Sequence, residues 1–314
     1  MAVYFLLAGG LGLLFLGGDW LVRGAVGLAD KLAIPAIIIG LTIVALGTSA
    51  PELVISIDAA WQGFGGLAVG NVVGSNIANV LLVLGIPAMI APIVSPKNDV
   101  KTTSFFLVGL TAMFMVMMWN GPIDWMDGLA LVTCLVAFLG LQYYKIQIAK
   151  RGTAEAFEEE VDNVPTRGSM IAALMIGGLI ALPIGAQVTV DAAVEIAKKW
   201  SVSEDVIGLT VVAIGTSLPE LATGIMATRN QSSSVAIGNV IGSNLFNIAA
   251  IMGITTLVAT VEAGSHIVSF DMWVMAAVTG FLLIVVLAGV TIGRLLGLLL
   301  TTAYLCYVVA TVAM

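Results

Sequence analysis

The most constraining feature of the sequence is a thirteen-residue stretch that occurs twice. GLTIVALGTSAPE covers Gly40–Glu52 and GLTVVAIGTSLPE covers Gly208–Glu220, with ten of the thirteen positions identical. A second pair follows at the same offset of 168 residues, AVGNVVGSNIAN at Ala68–Asn79 and AIGNVIGSNLFN at Ala236–Asn247. Self-similarity at one fixed offset indicates an internal duplication, so we expect the chain to fold as two related halves.

Composition places both halves in a membrane. The 314 residues are 60% hydrophobic and 10% charged, whereas soluble domains carry about 25% charged residues. Because a span needs about 20 apolar residues, the sequence predicts an all-α membrane protein with ten transmembrane helices. The predicted spans are roughly residues 2–28, 35–61, 67–92, 103–120, 125–148, 169–197, 204–228, 234–259, 268–289 and 291–313.

The predicted spans divide into two groups of five. Residues 1–148 form the first group, residues 169–314 form the second, and the charged segment 149–168 between them is expected to be a cytoplasmic connecting loop. Because five is an odd number, the second half enters the membrane with the opposite topology. The duplication therefore predicts an inverted repeat, which is the architecture of many secondary transporters.

The placement of basic residues gives the orientation. With both termini outside, the inner ends of the spans hold ten of the twelve basic residues and the outer ends hold Lys198 and Lys199. Cytoplasmic loops carry an excess of Lys and Arg, so we expect a multi-pass protein of the cell membrane in this orientation. The ten inner residues are Arg23, Lys31, Lys97, Lys101, Lys145, Lys150, Arg151, Arg167, Arg229 and Arg294.

The repeated GTS-x-PE motif carries polar chemistry inside an apolar run. Each proline lacks an N–H and clashes with the carbonyl four residues back, so it predicts a kinked or interrupted helix near mid-span. Carboxylate, hydroxyl and freed carbonyl oxygens are what a hard cation such as Na⁺ or Ca²⁺ binds. The alternative is a proline kink sealed by hydroxyls around a neutral glutamate, but two symmetric copies favour an ion site. Its candidate residues here are Thr48, Ser49, Glu52, Thr216, Ser217 and Glu220.

The second motif adds a polar stripe to each half. Its members are four residues apart and share one helix face, so they are either ion ligands or hydrogen-bonding contacts between helices. The residues themselves do not decide between these interpretations for Ser75, Asn79, Ser243 and Asn247. Contacts between helices are the preferred interpretation for Asn71, Asn76, Asn239 and Asn244.

Other charges within the predicted spans are interpreted first as helix-end electrostatics. They are Asp19, Arg23, Asp58, Asp191 and Glu195. Asp19 aligns with Gln187 in the other half, and Arg23 aligns with Asp191. The only histidine, His266, is expected at the surface of a short outer connection.

The paired motifs resemble the two α-repeats of the calcium/cation antiporter superfamily, in particular the prokaryotic sodium/calcium exchangers, over essentially the whole chain. The resemblance implies ligands at Thr48, Ser49, Glu52, Ser75 and Asn79 and at Thr216, Ser217, Glu220, Ser243 and Asn247. It also implies a sliding gate made of spans 1 and 6. One position departs from the family pattern, because Asn247 stands where those exchangers often carry an aspartate.

From these observations we expect a secondary-active antiporter that exchanges Ca²⁺ for Na⁺ by alternating access, with these ions as substrates and no cofactor. The alternative is a H⁺/Ca²⁺ antiporter on the same scaffold, since a buried glutamate can also release Ca²⁺ by taking up a proton. A passive cation channel is a third, less favoured hypothesis. We expect a monomer in the lipid bilayer that is not an enzyme. No G-x-x-x-x-G-K-[ST] loop indicates ATP-driven transport, and the dispersed basic residues do not indicate nucleic-acid binding.

Overall fold

The computed structural model describes residues 2–95, 97–151, 164–200 and 213–313, and this part of the chain is almost entirely helical. In chain order the helices are α1 (Ala2–Leu32), α2 (Ala36–Thr48), α3 (Ala50–Trp61), α4 (Gly65–Ile90), α5 (Lys97–Asn120), α6 (Trp125–Arg151), α7 (Gly168–Lys199), α8 (Ala213–Thr216), α9 (Leu218–Arg229), α10 (Ser233–Val258), α11 (Ile267–Ala288) and α12 (Arg294–Ala313).

The number of membrane-spanning helices agrees with the prediction as far as the described residues extend. Eight of these helices are long and apolar enough to cross a membrane, and the bent pair α2–α3 makes a ninth. The one predicted span not yet accounted for is the seventh, 204–228, whose first part lies outside the described residues and whose second part forms α8 and α9. The membrane fold is therefore confirmed, whereas the count of ten remains a prediction.

The helix interruptions predicted from the prolines occur at two serines. The chain bends by 44° between α2 and α3, and Ser49 at the break has φ −86° and ψ 6°. Ser217, between α8 and α9, has nearly the same angles, φ −88° and ψ 6°. Pro51 and Pro219 lie in the first turn of the helix that follows, where a missing N–H breaks no hydrogen bond within the helix. The prolines therefore start new helices rather than kinking continuous ones.

Two short backbone bridges join the halves in mirror-related places. Ile93, after α4, pairs with Ile292, before α12, and Ile123, before α6, pairs with Val261, after α10. Each bridge has two N–H···O bonds of 2.9–3.1 Å. Since Ile93 and Val261 are 168 residues apart, the offset of the sequence repeat is also present in the three-dimensional arrangement.

Burial divides the helices into a central and a peripheral set. Every residue in the most apolar stretch of α10 is buried, and most of the corresponding stretch of α4 is buried as well. In the corresponding stretches of α6 and α12 only 17% of the residues are buried, as expected of helices that face lipid. This arrangement places the polar stripes of α4 and α10 in the middle of the molecule.

Helices α1 and α7 pack closely against each other through glycines. A Cβ atom built on Gly178 would lie 2.7 Å from the carbonyl oxygen of Gly17, and one built on Gly185 would lie 2.9 Å from the backbone nitrogen of Leu14. Small residues allow such close backbone approach between membrane helices. The two helices that correspond to predicted spans 1 and 6 therefore form one tightly packed pair.

Candidate ion site

The two helix breaks bring a glutamate from each half into the protein interior. Glu52 lies in the first turn of α3 and Glu220 in the first turn of α9. Glu52 is 1% exposed and Glu220 is 0% exposed. Ser49, at the first break, contacts the Glu220 carboxylate, so the two breaks lie next to each other. Each glutamate lies at a helix N-terminus, where the partial positive charge of the unpaired N–H groups favours a carboxylate. The breaks thus supply both the location and part of the electrostatic stabilisation.

Hydroxyl groups surround Glu220 from both halves of the chain. Ser49 Oγ donates a hydrogen bond of 3.0 Å to Glu220 Oε1, and the hydroxyls of Thr48 and Ser243 also lie within reach of this carboxylate. Thr48 Oγ1 lies 3.5 Å from Ser243 Oγ and donates to Asn239 Oδ1 at 3.3 Å. This polar cluster therefore joins α2, α9 and α10.

The surroundings of the two glutamates are not symmetric. The counterpart of the Ser49–Glu220 bond would run from Ser217 to Glu52. Ser217 Oγ is instead buried without a hydrogen-bond partner among the described residues. The sequence repeat is thus not matched by identical contacts at the site.

Several buried oxygens at the site have no hydrogen-bond donor in the part of the chain that the structure describes. Buried polar groups are nearly always paired, so a cluster of unpaired oxygens needs an explanation. A hard cation would satisfy them, because Na⁺ and Ca²⁺ bind carboxylate, amide and hydroxyl oxygens. The atoms are Glu52 Oε2, Glu220 Oε2, Asn79 Oδ1, Asn247 Oδ1 and Ser217 Oγ.

The asparagines divide into contacts between helices and candidate ligands. Asn76 Nδ2 donates to the Asn244 carbonyl at 3.3 Å, and Asn244 Nδ2 donates to the Asn76 carbonyl at 3.2 Å. Asn71 Nδ2 donates to the Glu52 carbonyl at 3.2 Å and to Ser56 Oγ at 2.9 Å. These three asparagines therefore make the contacts between helices that the sequence favoured, and Asn239 accepts from Thr48.

Asn79 and Asn247 begin mirror-related π-helical segments, Asn79–Val83 and Asn247–Met252. Such widened turns occur frequently at functional sites. Asn247 Nδ2 donates to Asn76 Oδ1 at 3.0 Å, which leaves the amide oxygen of Asn247 for another partner. Of the remaining predicted ligands, Ser75 is buried one turn before Asn79, and Thr216 is half-buried at the end of α8.

The structure also reveals a buried carboxylate that the sequence analysis missed. Asp271, at the start of α11, accepts a 2.8 Å hydrogen bond from the Tyr307 hydroxyl and lies 3.0 Å from His266 Nδ1. His266 was expected at the surface. Its ring is half-buried and contacts Asp271, and the sequence did not indicate this contact. Asp271 could have been found by the signal used for Asp19, a lone charge inside an apolar run.

Glu52 and Glu220 are the two carboxylates that the described part of the chain brings to the candidate site. Within the described ranges, no group of three or more His, Cys, Asp or Glu residues is placed to hold a metal ion. A cation between Glu52 and Glu220 would therefore be bound mainly by neutral oxygens around two charges. This donor set suits an exchangeable Ca²⁺ or Na⁺ better than a permanently bound transition metal, which prefers nitrogen and sulfur ligands.

Comparisons with known proteins agree with this arrangement. The family model for the sodium/calcium exchanger protein matches residues 2–144 and 170–313. The sodium/calcium exchanger MaX1 of Methanosarcina acetivorans is 31% identical over 95% of this chain and 96% of its own length. The inner membrane protein YrbG of Escherichia coli K12 is 34% identical over 96% and 94% of the two chains.

A solved structure extends the likeness to three dimensions. The sodium-calcium exchanger NCX_Mj, soaked with Na⁺ and Sr²⁺, superposes with a TM-score of 0.83 at 32% identity, over 98% of both chains. The match extends over both halves. The chain therefore belongs to the sodium/calcium exchanger family of membrane transporters.

Proposed function

We propose that the protein exchanges Ca²⁺ for Na⁺ across the cell membrane at a central site built on Glu52 and Glu220. The observation that carries this proposal is that mirror-related helix breaks bring two fully buried glutamates into the interior. Each has a carboxylate oxygen without a hydrogen-bond donor among the described residues. Two ionised glutamates neutralise one Ca²⁺ or two Na⁺, so the two kinds of ion compete for the same charges. Competition for one site is the simplest basis for antiport.

The remaining ligands in this proposal are neutral oxygens. Ca²⁺ takes 6–8 oxygen ligands, more than two carboxylates supply. The hydroxyls and amides that line the site provide neutral oxygens, which bind Ca²⁺ weakly enough for the ion to be released. These ligands are Thr48, Ser49, Ser75, Asn79, Thr216, Ser217, Ser243 and Asn247.

Alternating access belongs to the same proposal. The α1–α7 pair slides past the fixed site and opens it to one side at a time, as in transporters built from inverted repeats. The positions of the basic residues support an orientation with both termini outside and the segment 149–168 in the cytoplasm. The halves 1–148 and 169–314 together surround one complete site, so a monomer suffices for exchange.

Flux through reconstituted vesicles tests the proposal. Vesicles loaded with Na⁺ and diluted into Na⁺-free buffer should accumulate Ca²⁺ against its gradient. Glu220→Gln should reduce this uptake to the background leak, because a neutral amide cannot balance the charge of the cation. Glu262→Gln is the matched control, since Glu262 is exposed and away from the site. Uptake that survives Glu220→Gln would refute the site, and flux that never runs uphill would indicate a channel.

Asn247 keeps proton/Ca²⁺ exchange as a second candidate function. With an amide held by Asn76 at this position, the site has no third carboxylate to accompany an additional Na⁺. A buried glutamate can instead take up a proton as Ca²⁺ leaves. Ca²⁺ uptake driven by a pH gradient in the complete absence of Na⁺ would support this candidate, and uptake that requires Na⁺ would exclude it.

A further inference from the structure

Helix α1 covers one face of α9, near the end that contains Arg229. A Cβ atom built on Gly18 would lie 3.0 Å from the carbonyl oxygen of Ala222. Asn230 Nδ2, at the end of α9, donates a hydrogen bond of 2.9 Å to Asp19 Oδ1. Ala222 is 4% exposed and Met226 is 9% exposed. The face of α9 formed by Ala222, Met226 and Asn230 is therefore closed by α1.

The mirror-related face of α3 is not closed in this way. It consists of Val54, Asp58 and Gln62, each 168 residues before its counterpart on α9. Val54 is 66% exposed, in contrast to the buried Ala222. Gln62 Nε2 donates to Asp58 Oδ2 at 2.7 Å, on its own helix.

The counterpart of Asp19 is Gln187, and its contact is likewise local. Gln187 Nε2 donates to Asp191 Oδ1 at 2.8 Å, so it is engaged on α7 and not with α3. Gln62 and Gln187 are both exposed. Asp19 and Asn230 are therefore hydrogen-bonded to each other, whereas their mirror counterparts, Gln187 and Gln62, each bond within their own helix.

We propose that Asp19 and Asn230 form a latch that closes the α9 end of the transport path, and that Gln187 and Gln62 form the mirror latch when the protein turns to its opposite state. The proposal rests on the proposed alternating access. In an inverted repeat each half adopts in one state the arrangement that the other half adopts in the opposite state. A contact seen in one half therefore predicts a contact in the other half.

The two latches differ in strength. The carboxylate of Asp19 makes a charge-assisted hydrogen bond, whereas Gln187 and Gln62 can make only a neutral one. Charge-assisted hydrogen bonds are roughly twice as strong as neutral ones. The state with the α9 end closed is therefore favoured in the absence of ions. On the proposed orientation this state is closed to the cytoplasm and open to the outside.

Chemical labelling measures the two ends separately. In a background with Cys134→Ser and Cys306→Ser, single substitutions Val54→Cys and Ala222→Cys place thiols at mirror positions. The purified full-length protein in detergent is reacted with a hydrophilic maleimide without ions. We expect fast labelling at position 54 and slow labelling at position 222. Adding Asn230→Ala should raise the labelling rate at position 222 about tenfold, because one charge-assisted hydrogen bond stabilises the closed state by about that factor. It should also lower the labelling rate at position 54.

Further variants separate a latch from a general loosening of the structure. Asn230→Leu has a similar size but no donor for Asp19, and it should raise labelling at position 222 about as much as Asn230→Ala. Gln187→Ala should leave labelling at position 222 slow, because its latch is open in this state. Asn120→Ala, at the exposed end of α5, should change neither rate.

Unchanged rates with both Asn230 variants would overturn the latch. An equal rise at position 222 with Gln187→Ala would also overturn it. Labelling needs no ion gradient, so its result is independent of the flux assay. Failure of Na⁺-driven uptake in the cysteine-substituted background would count against the proposed function and leave the latch measurement intact.

Discussion

Two serines in mirror positions have different surroundings, and this difference can be measured. Ser49 Oγ donates to the Glu220 carboxylate, whereas Ser217 Oγ is buried with no partner among the residues described. In ion-free protein, Ser49→Ala should lower the free energy of unfolding by about 1–2 kcal/mol, because a buried carboxylate loses a donor. Ser217→Ala should change it by less than about 0.5 kcal/mol, because no hydrogen bond is lost. Thermal melting in detergent with a chelator compares the two, and equal losses would contradict the asymmetry.

For single residues, the sequence predicts the members of the candidate site but not which of them are hydrogen-bonded to each other. Glu52 and Glu220 were predictable because each interrupts an apolar run in a repeated motif. The difference between Ser49 and Ser217 was not, because both occur in the same GTS-x-PE context. It depends on how the two halves pack against each other, which a local motif does not encode. Asp271 lies outside both repeated motifs, so only its charge within an apolar run marked it in the sequence.

Among the helices, the close packing of α1 on α7 makes the strongest prediction. A Cβ atom on Gly178 would lie 2.7 Å from the Gly17 carbonyl oxygen and 2.8 Å from the Leu21 nitrogen, whereas one on Gly12 would meet nothing within 4 Å. Gly178→Ala should therefore push the two helices apart and cost about 1–3 kcal/mol, as overpacked contacts do. Gly12→Ala, on the same pair, should be neutral or stabilise by up to about 1 kcal/mol through helix propensity.

Melting temperature and Na⁺-driven Ca²⁺ uptake should be measured for both glycine variants. We expect Gly178→Ala to reduce both quantities and Gly12→Ala to leave uptake unchanged. If Gly178→Ala were as stable and as active as Gly12→Ala, the backbones of α1 and α7 would have to be farther apart than in this structure.

The prolines explain why the helix breaks, but not the π-helical segments, could be predicted from the sequence. A proline in an apolar span predicts an interruption, and the breaks lie within two residues of Pro51 and Pro219. The π-helical segments that begin at Asn79 and Asn247 had no such signal. A single widened turn depends on how neighbouring helices pack, and hydrophobic periodicity in one chain segment does not report that packing.

Among the described helices, packing between the halves is more extensive than packing between helices of the same half. A Cβ atom on Gly242 in α10 would lie 2.5 Å from the Leu41 carbonyl oxygen in α2. Asn76 and Asn244 exchange hydrogen bonds between α4 and α10. The buried face of each half is therefore completed by the other half, although the sequence repeat by itself is equally compatible with two separate bundles.

This mutual completion predicts how a divided chain behaves. If residues 1–156 and 157–314 are expressed as separate polypeptides, each alone should be unstable, because the polar stripe of α4 or α10 would face lipid without its partner. Co-expressed, they should copurify and restore Na⁺-driven Ca²⁺ uptake, since the cut falls in the expected connecting segment. Co-expression with Glu220→Gln in the second polypeptide is the matched control, and it should give a complex that assembles but does not transport. Transport by either half alone would contradict a site shared between the halves, and copurification without transport would show that the 149–168 segment does more than connect them.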